Sequence, residues 1–317
     1  MTDKFANIHP DLMAAARKSP AFTFSGKILW LVRLAMRLMP SPAIPKDVRI
    51  RNVHVPGGGG HPKMRLRLYR PAAAAAPAPA LLWIHGGGYV IGRPEMDDFG
   101  CAHFASELGI TVVSVDYRLA PDHPFPAGLD DCYAALRWVQ SQAVTLGIDV
   151  ERIAIGGASA GGGLAAALVQ LAHDRKEIKP FFQLLIYPMI DDRVALSTVS
   201  GETDHVGWNR INNRYGWMSY LGREYGSADM PAYAAPARRT DLSGLPPAWI
   251  GVGSEDLFKD EDVAYAQALQ ACGVACELVI VPGAFHGFDM LAAGAGVSQD
   301  FRAAQMAALK KQLFPAD

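Results

Sequence analysis

The chain has 317 residues, 50% of them hydrophobic and 19% charged. That is ample apolar surface to offset chain entropy, and it excludes a disordered or collagen-like protein. Thirty basic residues against thirty-one acidic ones leave a net charge of -1. A protein built to neutralise phosphates would carry a basic excess, so nucleic acid is not an expected partner.

The length suits two domains, or one large α/β domain with an insertion. Near the N-terminus, the apolar run 28–39 is interrupted by Arg33 and Arg37. It falls short of the roughly twenty residues a membrane span needs, and it is not placed as a secretory signal would be. Leu29, Val32, Met36 and Met39 fill one helical face and the two arginines another. An amphipathic helix covering an apolar surface is expected, with membrane-surface binding as the alternative. A proline-studded stretch, Pro40 to Pro45, closes this region.

From residue 48 the pattern changes. Residues 48–55 and 63–70 alternate apolar and polar side chains, as a half-exposed antiparallel pair would, around the loop Pro56-Gly57-Gly58-Gly59-Gly60. Residues 71–79, nearly all alanine and proline, read as a surface linker. The continuous apolar runs 81–85, 110–116, 152–156 and 182–187 suit strands buried on both faces of a parallel sheet. Helical patterns lie between them at 97–108, 128–146 and 160–174. The alternation resumes with strands at 248–252 and 277–281 and helices at 261–271 and 298–313. Such a rhythm predicts a mostly parallel sheet with helices on both faces. It breaks over 191–235, where Trp208, Tyr215, Trp217, Tyr220 and Tyr225 gather, an insertion expected to pack with the N-terminal helices.

The strongest chemical signal is Gly157-Ala158-Ser159-Ala160-Gly161, directly between a strand and a helix. The glycines let neighbouring backbone approach this tight turn, which pushes the Ser159 hydroxyl above the sheet. His85-Gly86-Gly87-Gly88 follows the 81–84 strand, and its bare N–H groups suit a developing oxyanion. A phosphate cradle would bring a lysine or a G-x-G-x-x-G, absent from this loop.

Of nine histidines, His286 sits in the loop after the last strand, on the sheet edge that carries the serine turn. His85 belongs to the glycine loop, and His103 and His173 fall on helices, so structural roles are expected for these three. Asp256, just after the 248–252 strand, is the candidate to orient the imidazole. Asp260, Glu261 and Asp262 read as acids that complement a helix N-terminus. The order Ser159, Asp256, His286 is that of the α/β-hydrolases. A dinucleotide-binding reading of Gly161-Gly162-Gly163 fails, because the first glycine lies inside the helix start. Cys272 and Cys276 lack further ligands nearby, so no metal site is expected. The four cysteines, Cys101 and Cys132 included, are too scattered for a disulfide scaffold and point to a reducing, cytoplasmic setting.

These blocks resemble the hormone-sensitive-lipase-like branch of the α/β-hydrolases, the bacterial carboxylesterases with an HGGG loop. Asp116-Tyr117-Arg118-Leu119-Ala120-Pro121-Asp122-His123-Pro124-Phe125-Pro126-Ala127 and Asp241-Leu242-Ser243-Gly244-Leu245-Pro246-Pro247 extend the likeness, as does His286-Gly287-Phe288. The resemblance implies an α/β-hydrolase fold with an eight-stranded, mostly parallel sheet. It also implies a helical cap formed by residues 1–45 and 191–235, over a catalytic domain formed by 46–190 and 236–317. By position it makes Ser159 the nucleophile, His286 the base and Asp256 the orienting acid, with the amides of Gly86, Gly87 and Ala160 as the oxyanion hole. This chain departs from the branch at Ala158, where Asp or Thr is usual, at Leu257, where Pro is usual, and at Asp122, where Glu is usual.

The expected reaction is two-step acyl transfer to water on short- to medium-chain esters. Candidate pocket residues are Trp30, Tyr89, Trp208, Trp217 and Phe288. Lipase, amidase or deacetylase activity uses the same groups, and a receptor of this fold would lack the base histidine. The partners implied are a small-molecule ester substrate and, at most, a second copy of the chain as a homodimer. No stable membrane insertion is expected, and no cofactor is implied.

Overall fold

The computed structural model describes residues 5–19, 23–39, 43–61, 63–73, 75–196, 205–222 and 225–315. Pro40 to Pro42 and parts of the insertion, 197–204 and 223–224, lie outside the described residues. Eight strands form a single sheet in the order β1-β2-β4-β3-β5-β6-β7-β8. The hairpin β1 (Val48–Val55) and β2 (Met64–Pro71) pairs antiparallel, Val48 opposite Pro71, and β2 pairs antiparallel with β4 (Thr111–Asp116). Every later pairing, through β3 (Ala78–Ile84), β5 (Ile148–Ala158), β6 (Phe182–Ile186), β7 (Ala248–Gly253) and β8 (Cys276–Val281), is parallel. The alternating residues of β1 have one face in water, whereas every residue of β3, β6 and β7 is buried.

Two apolar cores flank the sheet. One joins Leu82, Ile84, Ile155 and Ile250 to α4 (Ala127–Ser141), α6 (Ala160–Arg175) and α8 (Lys259–Ala271). The other joins Leu81, Trp83, Leu184 and Trp249 to α3 (Asp98–Leu108) and α10 (Gly296–Leu313). The short α1 (Met13–Lys18) belongs to this second core through Ala16, and His9 just before it donates its amide to the Gly283 carbonyl at 2.9 Å. In the insertion, α7 (Arg210–Leu221) packs with the N-terminal segment. Phe24 donates its amide to Asn212 Oδ1 at 2.8 Å and its ring lies 5.7 Å from that of Trp208.

The structure amends the sequence reading in five places. The 128–146 helix breaks at Gln142 into α4 and α5 (Ala143–Leu146), and β5 begins at Ile148 rather than at 152. The alanine-rich linker ends early, because Ala78 already pairs with Ile148. On α2 (Gly26–Leu38) Val32 packs on the core and Met36 is half-buried, as the predicted face requires, but Met39 is exposed. Leu29 is buried as expected, but Arg33 points inward, donating to the carbonyls of Val90 (2.8 Å) and Ala120 (2.6 Å) and pairing with Asp122. Trp30, Leu31, Leu34 and Leu38 face water instead. The acids opening α8 also behave differently from caps. Glu261 Oε1 accepts the amides of Ile190 and Asp191 across the domain, and Asp262 is buried with neither oxygen hydrogen-bonded. Burial drives both carboxyls well above the carboxylate range, with their mutual repulsion adding to the effect on Asp262.

Candidate active site

Parallel strands β3, β5, β6, β7 and β8 all end on the same edge, and their loops carry the candidate residues. Ser159 joins β5 to α6 with φ 56° and ψ -123°, a conformation that L-residues rarely adopt. The elbow is held tightly. Its amide donates to the Ile186 carbonyl at 2.9 Å, and its carbonyl accepts from Gly163 (3.0 Å) and Met189 (2.9 Å). A Cβ at Gly161 would overlap the carbonyl oxygens of Ile84 and His85, so only glycine lets α6 start this close to the end of β3.

Three side chains from separate loops meet here. Ser159 Oγ lies 2.9 Å from His286 Nε2, and His286 Nδ1 lies 2.8 Å from Asp256 Oδ2. Relative exposures are 6% for Ser159, 8% for His286 and 5% for Asp256, so water barely competes for these bonds. Asp256 Oδ1 accepts the Phe258 amide at 2.9 Å, which fixes the carboxylate despite Leu257 in place of the usual proline. A carboxylate can only accept, so Nδ1 carries the ring proton and Nε2 is free to accept from the serine hydroxyl. The imidazole is walled by Phe258 at 5.0 Å and Tyr187 at 4.7 Å between ring centroids, both edge-on.

Gly86 runs beside the elbow, where a Cβ would come 3.4 Å from that of Ser159. Gly87 follows at φ +120°, open to glycine alone, and Ala160 is the first residue of α6, whose amide has no acceptor within its own helix. His85 has the structural role expected of it. It is buried, Nδ1 meets the Gly86 carbonyl at 2.8 Å, its ring stacks on Tyr117, and burial holds its pKa down and the ring neutral.

The family model for the alpha/beta hydrolase fold matches residues 81–290. The chain belongs to the α/β-hydrolases. Within that family it falls in the hormone-sensitive-lipase-like branch, and its enzyme class is that of the carboxylic ester hydrolases. It is 37% identical over 280 residues to carboxylesterase NlhH of Mycobacterium tuberculosis, covering 87% of each chain. It is 33% identical over 309 residues to the ethyl acetate hydrolase of Pseudomonas putida, covering 89% of this chain and 92% of that one. Among solved structures, a bacterial heroin esterase superposes with a TM-score of 0.89 at 39% identity, over 98% of this chain and 99% of that one.

The five pocket candidates of this α/β-hydrolase fall in different settings. Trp208 covers Gly88, where a Cβ would overlap its indole, and lies 6.4 Å from the His286 ring. Tyr89 is fully buried, stacked on Tyr220 at 4.0 Å with its hydroxyl on the Met189 carbonyl, and Trp217 packs behind it. Phe288 turns into the second core against Phe301, and Trp30 is 64% exposed on α2. Tyr187 and Phe258, which wall the imidazole, escaped the sequence reading. The one signal for Tyr187 was its position at the carboxyl end of the β6 run.

Proposed function

We propose that this protein is a serine esterase that cleaves short- to medium-chain carboxylic esters through an acyl-enzyme intermediate. The observation that carries the reading is the unbroken hydrogen-bonded chain from Ser159 through His286 to Asp256. Ser159 Oγ attacks the ester carbonyl while His286 Nε2 takes its proton. Asp256 keeps the proton on Nδ1 and stabilises the imidazolium that forms. The amides of Gly86, Gly87 and Ala160 receive the negative oxygen. His286 then gives its proton to the departing alcohol. Water enters, loses a proton to the same nitrogen and releases the acid from Ser159.

The size preference is supported by the residues around the serine. Trp208 closes over the glycine loop, and the N-terminal segment packs on it through Phe24. In this reading residues 1–45 and 191–235 act together as a cap, and a short acyl chain fits beneath it better than a long one. A cytoplasmic setting agrees with four cysteines that are all free. No helix among the described residues is long and apolar enough to cross a membrane.

The test is Ser159→Ala assayed with a fluorophosphonate probe and a p-nitrophenyl ester panel. The variant is expected to fold normally, lose covalent labelling and lose turnover by several orders of magnitude. Stoichiometric labelling of the variant would refute the assignment. Activity that rises with acyl length and jumps at an oil–water interface would make the enzyme a lipase instead.

A further inference from the structure

A second space adjoins the serine turn. A cavity of about 390 Å³ lies between α3, α10 and the carboxyl ends of β5 and β6. Ala158, the residue before the nucleophile, forms part of its wall, and so does Tyr187, whose ring touches the His286 imidazole. The Ala158 methyl leaves that wall small and apolar. Tyr187 thus stands between this cavity and the imidazole that must protonate the departing oxygen.

The remaining lining is specific in its chemistry. Trp83, Phe99 and Phe104 supply aromatic faces, and Asp97 and Asp289 supply carboxylates. Asp97 Oδ2 accepts from the Trp83 indole at 2.7 Å, and Asp289 Oδ1 accepts from the Tyr187 hydroxyl at 2.9 Å. Arg302 also lines the cavity, bonded to the backbone carbonyls of Asp289 and Ala293, and its charge offsets part of that of Asp289, which leaves Asp97 as the carboxylate without a cation beside it. No described lysine or arginine forms an ion pair with Asp97. Gln305, only 3% exposed, also lines the cavity, and its Nε2 has no hydrogen-bond partner. A packing defect would be lined by apolar groups alone, whereas carboxylates in the wall suit a polar guest, and the unmet Gln305 N–H calls for an acceptor oxygen on that guest rather than for its cation.

We propose that this cavity is the alcohol subsite and that it selects esters of amino alcohols, holding their ammonium group between Asp97, Asp289 and the aromatic walls. The inference rests on the esterase reading above and names its substrate class. Aromatic faces and fixed carboxylates are the combination that recognises alkylammonium ions. Without a cation, the dry surroundings push Asp97 up to about 7, against the Trp83 hydrogen bond and helped by the charges of Asp289 and Asp98. An ammonium ion is the partner that holds it ionised. The reaction is unchanged: the acyl C–O bond breaks, the amino alcohol leaves with the proton from His286, and the acyl group passes to Ser159 and then to water.

The test compares acetylcholine with 3,3-dimethylbutyl acetate, its neutral isostere, and with ethyl acetate. The intact protein is expected to favour acetylcholine over the isostere by about tenfold or more in kcat/KM. Asp97→Asn should erase most of that preference and leave ethyl acetate turnover within about twofold. Gly100→Leu provides a second handle, because Gly100 lines the cavity and nothing lies within 4 Å of the position a Cβ would take. It should depress both bulky esters and spare ethyl acetate. Equal kcat/KM for acetylcholine and its isostere, or an equal loss on all three esters in Asp97→Asn, would overturn the subsite while leaving the esterase intact. No turnover of any ester by the intact protein, p-nitrophenyl acetate included, would remove both readings.

Discussion

Asp256→Asn is a stringent test of the site, because its outcome follows from two hydrogen bonds on one carboxylate. Oδ1 accepts the Phe258 amide at 2.9 Å, and Oδ2 accepts from His286 Nδ1 at 2.8 Å. Asparagine has one acceptor and one donor end. If its oxygen stays on the Phe258 amide, its NH2 faces Nδ1, and the ring proton must move to Nε2. The imidazole then donates to Ser159 and cannot take its proton. The reverse orientation would bury two N–H donors against each other, at about 1–3 kcal/mol, so the unreactive tautomer is favoured. The expected loss is about 10³–10⁴-fold in kcat, or roughly 4–5.5 kcal/mol of transition-state stabilisation. Steady-state hydrolysis of p-nitrophenyl acetate reads the loss, the rate of fluorophosphonate labelling reads serine activation, and a melting curve checks the fold. A folded variant that retains more than a tenth of the activity would show that Asp256 is not the orienting acid. Glu255→Gln, one residue away, should stay close to the parent.

Three further outcomes are expected. Gly161→Ala would drive a methyl group into the Ile84 and His85 carbonyls; it should cost about 1–3 kcal/mol by urea unfolding and reduce turnover, since the same contact seats the glycine loop. Asp262→Ala removes a buried carboxyl without hydrogen bonds. Because that group's pKa is raised in the fold, its contribution to stability is intact below the ordinary carboxylate range and is lost as pH rises toward the raised value. The variant should therefore gain on the parent as pH goes from 5 to 8, by about 1–3 kcal/mol, and urea midpoints that differ equally at both pH values would contradict this. Arg33→Ala deletes the bonds to Val90, Ala120 and Asp122. It should free α2 for limited proteolysis and raise KM more than it lowers kcat, and an unchanged cleavage pattern would count against that anchoring.

The sequence was most informative where chemistry demands a fixed local pattern. The Ser159 elbow, the glycine loop and the His286 loop each follow a buried apolar run, and parallel strands bring their ends to one edge. Asp256 was legible for the same reason. The helix periodicities were read less well. On α2 periodicity placed Leu29 on the covered face, but it did not say that Arg33 would turn inward or that Trp30, Leu31, Leu34 and Leu38 would stay in water. That choice is made by carbonyls of residues 90 and 120, which periodicity does not register. Glu261 and Asp262 have the look of dipole-complementing acids, yet the first turn of α8 lies under the 188–191 segment, and long-range packing decides what they meet. The cavity behind Ala158 was invisible because its walls come from α3, β6, α9 (Phe288–Leu291) and α10, which lie far apart in sequence.

The division of labour along the chain has a practical corollary. Ser159 and the glycine loop precede the insertion, while Asp256 and His286, 127 residues beyond the serine in the case of the histidine, follow it. The two portions adhere through the ladder that sets Gln183 beside Ala248 and Ile186 beside Gly251. A backbone nick inside the insertion would thus yield two individually inert fragments, each bearing half of the chemistry. Their reunion would switch hydrolysis back on, which makes this polypeptide a natural scaffold for a split-enzyme reporter.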